Sequence, residues 1–202
     1  LSASSTIYSF AHSLETTSMV KRYLLLFVIV SLTSVSTRAA EFSQARPSPE
    51  ELMQLPMNNW LTNGGDLYNR NYSALTEINV ETVSELRPVW RTHLNGSGLD
   101  TKYSGEAQPL IYEGVMYIIT GADDVFALSV ETGEILWSSE ASLSDEISTI
   151  CCGWTSRGVG LGEDKIFVGQ LDGVLKAVDK DTGVLVWSVQ AERWEEGYTI
   201  TS

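Results

Sequence analysis

The 202-residue chain carries 26 acidic against 13 basic side chains, a formal charge of −13. Nucleic-acid binding wants a basic stripe to meet phosphates, so that class is disfavoured and a basic or neutral partner fits better. With 43% hydrophobic residues, 16 glycines and 6 tryptophans, the composition is that of an ordered globular chain rather than a disordered one.

Residues 1–18 have no periodicity of a folded element and read as upstream sequence translated in frame. From Met19 the pattern sharpens: Lys21 and Arg22 give a positive start, and Tyr23 to Leu32 is an apolar run interrupted only by Ser31. Small and polar residues follow, ending at Thr37-Arg38-Ala39-Ala40. This is the layout of a secretory signal peptide over 19–40, too short for a spanning helix. Cleavage near Ala39 or Ala40 would leave a mature start around Glu41; an uncleaved amino-terminal anchor is the competing reading. No cysteine lies in or just after this region, so lipid attachment is not expected.

Residues 41–59 carry Pro, Glu and Gln and read as an ordered lead-in or short helix, and after Trp60 the chain turns β-like. Two segments then resemble one another. Ala127, Thr132, Gly133 and Trp137 recur as Ala177, Thr182, Gly183 and Trp187, each shifted by 50. Both copies are short Val-, Ile-, Leu- and aromatic-rich strands punctuated by Gly and Asp turns. The Thr-Gly pair makes a hairpin turn in which Gly133 and Gly183 are free to take positive φ. Trp90 is a degenerate third instance of the repeated tryptophan. A period of this length with four strands per unit indicates an all-β propeller, with a continuous β-sandwich as the alternative. The stretch after residue 40 is too short for the usual 4–8 blades. Residues 60–202 are therefore read as the first blades of a longer protein.

The two cysteines, Cys151 and Cys152, are adjacent. A disulfide usually wants Cα atoms roughly 4.4–6.8 Å apart, while chain neighbours are held at about 3.8 Å. If they bond, they close a tight ring that staples nothing distant but forms a rigid, polarisable plate. In an exported protein such a ring can form and persist; two buried free thiols are the other reading. Other constellations fail. His12 precedes the expected mature start and His93 is alone, so no histidine triad or metal cluster assembles. Gly158-Val159-Gly160-Leu161-Gly162-Glu163 has a glutamate where the Gly-x-Gly-x-x-Gly spacing of a dinucleotide loop needs its third glycine, and it precedes a strand rather than a helix.

With the repeat and the cysteine pair in hand, the chain resembles the pyrroloquinoline-quinone (PQQ)-dependent alcohol dehydrogenases, the quinoprotein methanol and ethanol dehydrogenase family. The pattern Ala-x4-Thr-Gly-x3-Trp occurs at Ala127–Trp137 and Ala177–Trp187, and the resemblance runs from about Trp60 to Ser202. The Cys-Cys pair five residues before Arg157, between the two repeats, is its specific part.

The resemblance implies an eight-bladed quinoprotein propeller, of which only the first blades are present, and an enzyme that oxidises an alcohol to an aldehyde. It further implies that Cys151 and Cys152 form a vicinal disulfide lying on one face of the quinone. Arg157 would reach the quinone oxygens, Glu106 would contact the cofactor near the disulfide, and Thr201 would bind a cofactor carboxylate. As residues alone, Arg157 and Glu106 also read as solvated charges and Thr201 as a plain strand residue. A planar polyanion nevertheless suits such a set: arginine offers a fixed fork of donors and threonine an uncharged one. Calcium or a lanthanide would polarise the quinone as a Lewis acid, through oxygen ligands downstream of this stretch. The catalytic carboxylate base is likewise placed downstream, so this stretch alone is expected to be inactive. The implied acceptor is a cytochrome c or a quinone, with a haem c domain as a further option. The implied location is the periplasm, with peripheral membrane association as an option. A non-catalytic exported propeller scaffold is the alternative; it would predict a lipid-attachment cysteine and no Cys-Cys pair.

Overall fold

The computed structural model describes residues 46–94, 103–148 and 153–201. The signal-like segment 19–40 lies outside them. The first element is the short helix α1, Pro49–Met53. Ser48 caps it by accepting from Glu51 N–H, and the Glu51 carboxylate returns the bond to Ser48 N–H. These two bonds satisfy donors that so short a helix leaves free.

Among the described residues ten strands follow: β1 Tyr103–Gly105, β2 Leu110–Tyr112, β3 Val115–Ile119, β4 Val125–Ser129, β5 Ile135–Ser139, β6 Trp154–Ser156, β7 Gly160–Gly162, β8 Lys165–Gly169, β9 Val174–Asp179 and β10 Leu185–Gln190. They form two four-stranded antiparallel meanders, β2-β3-β4-β5 and β7-β8-β9-β10, and a parallel pair, β1 with β6. The 50-residue repeat therefore corresponds to one sheet per copy.

The same turn chemistry closes the first hairpin of each sheet. Glu113 and Gly114 (φ 49° and 80°) join β2 to β3, and Glu163 and Asp164 (φ 50° and 56°) join β7 to β8. Two consecutive positive φ values are the mark of the type I′ turn, whose twist matches the strands it joins. Gly133 and Gly183 take φ 72° and 70° between the third and fourth strands, as the Thr-Gly pattern predicts.

Across each sheet the repeated residues form a row. Tyr117, Ala127 and Trp137 face one another on β3, β4 and β5; Phe167, Ala177 and Trp187 do so on β8, β9 and β10. The rings flanking each alanine are 6.0 and 6.1 Å apart, centroid to centroid. A larger side chain than alanine would force them apart, which explains why that position repeats. Both sheets feed one core. Leu110, Tyr112, Tyr117, Ile119 and Val125 pack with Leu161, Ile166, Val168 and Val178, and Leu61 joins from the lead-in. Each such fully buried aliphatic side chain contributes about 1.5–3 kcal/mol.

The sheets are joined by tryptophans. Trp137 donates its indole N–H to the Lys180 carbonyl at 2.9 Å, and Trp90 donates to the Val130 carbonyl at 2.8 Å. Val130 and Lys180 both lie two residues before the repeated threonine, so Trp90 engages the first sheet as Trp137 engages the second. The expectation that the chain becomes β-like directly after Trp60 is not met. Residues 61–94 are turns and extended coil, apart from a bridge between Trp60 and Ile111 and a 3-10 turn at Val83–Glu85. Their composition explains it: Asn69 and Asn71 adopt positive φ, and Asn63-Gly64-Gly65-Asp66 favours turns over a pleated ladder.

Candidate functional site

Glu106 lies in the segment that enters β2, Arg157 in the segment that enters β7, and Thr201 in the stretch after β10. These three segments lie side by side. β1 and β6 pair in parallel, Tyr103 opposite Trp154 and Gly105 opposite Ser156. Past the end of that pairing, Gln108 N–H donates to the Arg157 carbonyl at 3.2 Å, and Arg157 N–H donates to the Thr201 carbonyl at 3.0 Å. Residues distant in sequence are thus brought to one place by backbone hydrogen bonds.

The side chains converge there. Arg157 Nη1 donates to Thr201 Oγ1 at 2.8 Å, and Arg157 Nε lies 3.6 Å from Glu106 Oε2. Both charged side chains remain about half exposed, at 54% and 49%. A guanidinium has five N–H donors, so after these contacts Arg157 keeps donors for a bound anion. Exposure at this level makes the ion pair itself worth little. Its value is geometric: Glu106 and Thr201 hold the guanidinium plane.

The residues after the cysteine pair, Trp154–Ser156, form β6. Trp154 is buried, donates Nε1–H to the Ile147 carbonyl at 3.1 Å, and meets Tyr103 edge-on at 5.8 Å. Thr155 Oγ1 and Ser156 Oγ, immediately before Arg157, are buried without a hydrogen-bond partner among the described residues. Buried hydroxyls are rarely left unpaired, and as consecutive residues of β6 these two point to opposite faces of the strand. Cys151 and Cys152 lie outside the described residues.

Comparison with known proteins decides the family. The family model of the glucose/ethanol/alcohol dehydrogenase β-propeller domain, a PQQ domain, matches residues 60–193. The chain belongs to this PQQ-dependent dehydrogenase propeller family. Its two four-stranded sheets are propeller blades.

Among relatives of this family, the quinoprotein alcohol dehydrogenase PedH of Pseudomonas putida is 40% identical over 175 residues, covering 86% of this chain and 29% of PedH. A 1-butanol dehydrogenase (cytochrome c) of Thauera butanivorans is 38% identical over 129 residues, 63% of this chain and 18% of the relative. Among solved structures, a europium-containing methanol dehydrogenase matches with TM-score 0.65 at 28% identity, covering 71% of this chain and 25% of that one. The chain thus spans under a third of the length of each of these proteins. All three carry dehydrogenase names.

The structure brings Glu106, Arg157 and Thr201 together. It also adds residues that sequence reasoning did not reach. Gln108 and Asn63 hold the Arg157 main chain. No local pattern marks Asn63, 94 residues before its partner. Gly158 was the available signal, since a glycine beside a functional arginine often marks a close approach.

A second polar group lies beneath the blade turns. Asp123, fully buried and at φ 60°, accepts from Leu171 N–H at 2.7 Å, linking the β3–β4 turn of the first blade to the β8–β9 turn of the second. Its other oxygen and the neighbouring Gln170 Nε2 are buried without partners among the described residues. Burial pushes the Asp123 carboxyl up to about 8, and burial pushes Lys176 down while Asp123, Asp124 and Asp172 act against that shift.

Proposed function

We propose that this chain supplies the first blades, and one wall of the PQQ site, of an exported alcohol dehydrogenase. The observation that carries the reading is the convergence of Arg157, Glu106 and Thr201 from three separate segments onto one exposed cluster. Arg157 provides directional charge at the quinone oxygens, and Thr201 offers its hydroxyl to a cofactor carboxylate while orienting the guanidinium. Cys151 and Cys152, three and two residues before Trp154, form a vicinal disulfide plate under the quinone in this reading. PQQ, when bound, supplies the hydride-accepting centre that converts alcohol to aldehyde.

The metal, calcium or a lanthanide, is held by oxygen ligands of later blades, as is the catalytic base; the europium in the name of one structural neighbour supports the lanthanide option. The acceptor is a cytochrome c or a quinone, which the names of two Thauera butanivorans butanol dehydrogenases support, and a quinohaemoprotein neighbour supports a haem c domain as an option. The periplasm is the proposed compartment, with the segment at 19–40 as the export signal and peripheral membrane association as an option.

The test is reconstitution of the full-length protein with PQQ and either calcium or a lanthanide, followed by alcohol-dependent reduction of an electron-accepting dye. Turnover that requires both PQQ and the metal is expected. PQQ binding without turnover on any primary alcohol would sink the alcohol assignment, and absence of PQQ binding would sink the site.

A further inference from the structure

Arg157 is held by its main chain as well as by its side chain, and one of the segments holding it has no role in the reading above. Its carbonyl accepts from Gln108 N–H and, at 3.5 Å, from the side-chain amide of Asn63. A carbonyl oxygen has two lone pairs, so the two donors are compatible. Asn63 also lies against the next residue: a Cβ built on Gly158 would come 2.7 Å from Asn63 Oδ1. Only the missing side chain at 158 lets the Asn63 amide rest on the Arg157–Gly158 peptide.

The loop that carries Asn63 is itself anchored on the first blade. Trp60 and Ile111 exchange backbone hydrogen bonds at 2.7 and 2.8 Å. Thr62 Oγ1 donates to the Asp66 carbonyl at 2.9 Å, and Asn71 N–H donates to the Gly64 carbonyl at 2.9 Å. The Asp66 carboxylate, 2% exposed, is bonded by Tyr68 N–H and by Arg70 Nε. Gly65 lies against the Trp60 and Pro56 rings. A loop braced in this way reaches from the first blade to the arginine of the second.

We propose that Asn63 is a positioning residue for Arg157, and that residues 60–71 are a working part of the cofactor site rather than a spacer. This inference rests on the reading that Arg157 faces PQQ. Asn63 acts through the Arg157 carbonyl, so its loss should loosen the guanidinium without unfolding the blades.

The experiment uses full-length apoprotein carrying Asn63→Ala or Asn63→Asp, with Arg157→Ala as reference, titrated with PQQ by tryptophan fluorescence. The aspartate keeps the shape of Asn63 but has no N–H to donate. Both Asn63 variants should bind PQQ about tenfold more weakly, the low end of what removing an orienting partner costs around metal ligands, with the apoprotein melting temperature unchanged. Weaker binding by Arg157→Ala alone, with both Asn63 variants unchanged, overturns the inference and leaves the site intact. Unchanged binding by all three overturns the underlying reading as well. Weaker binding accompanied by a lowered apoprotein melting temperature in both Asn63 variants assigns the residue to folding and also overturns the proposal.

Discussion

The indole of Trp137 lies directly on Gly183, so that a Cβ there would sit 2.6 Å from the ring, and Trp90 lies on Gly133 at the same distance. The glycine is thus needed twice over, for its positive φ and for the ring above it. Gly183→Ala should destabilise the full-length protein by more than the about 1–2 kcal/mol that left-handed backbone costs an L-residue. Trp137→Phe, which keeps an aromatic ring but strands the Lys180 carbonyl, should cost about 1–3 kcal/mol. Urea denaturation checks both; a Gly183→Ala loss under 1 kcal/mol would show that the ring moves aside freely.

The carboxyl of Asp123 should make stability pH-dependent. Its folded-state value of about 8 lies above the ordinary carboxylate range near 3.8. Between those values the folded protein holds a proton that the unfolded chain has lost, so this group's contribution falls as pH rises through that window. The groups facing it, Asp124, Asp172 and Lys176, are retained in Asp123→Asn, whose amide oxygen can still accept from Leu171. That variant should melt higher than the parent at pH 8 and converge with it toward pH 4. Parallel melting curves across the range would show that Asp123 ionises freely.

Arg157 and Thr201 should act as a unit toward PQQ. Arg157→Lys keeps the charge but cannot present donors to Thr201 and Glu106 in one plane. Thr201→Val keeps the shape and loses the hydroxyl. Each should weaken PQQ binding about tenfold or more, and the double variant should lose less than the two losses combined. Full additivity, measured by titration, would show that their contact does not matter to the cofactor.

The cysteines give a chemical test. Unfolded, unreduced protein should show no free thiol, because Cys151 and Cys152 are expected to bond in an oxidising compartment. Two thiols per chain would exclude the ring, and PQQ would then rest on a softer surface.

The blade repeat was legible because each of its residues has a local reason: a small side chain between two rings, a glycine at positive φ, a tryptophan facing the next unit. Glu106, Arg157 and Thr201 came from family resemblance; periodicity alone left them as two charges and a strand residue. Asn63 and Asp123 were out of reach for a different reason. Their partners lie 94 and 48 residues away, and neither breaks a local pattern. The loop after Trp60 was misjudged because its scattered aliphatic residues resemble strands. Many of them, Val80 and Val89 among them, are exposed.

The backbone hydrogen bonds from Gln108 to Arg157 and from Arg157 to Thr201 mean that no single blade owns the guanidinium's surroundings. The carboxylate arrives with one unit, the cation with the next, and the hydroxyl on the strand of chain leading out of it. A molecule seated on that arginine would be clasped by all three at once. Loading would then rivet the seam between neighbouring units, and the quinone would serve as mortar as well as reagent.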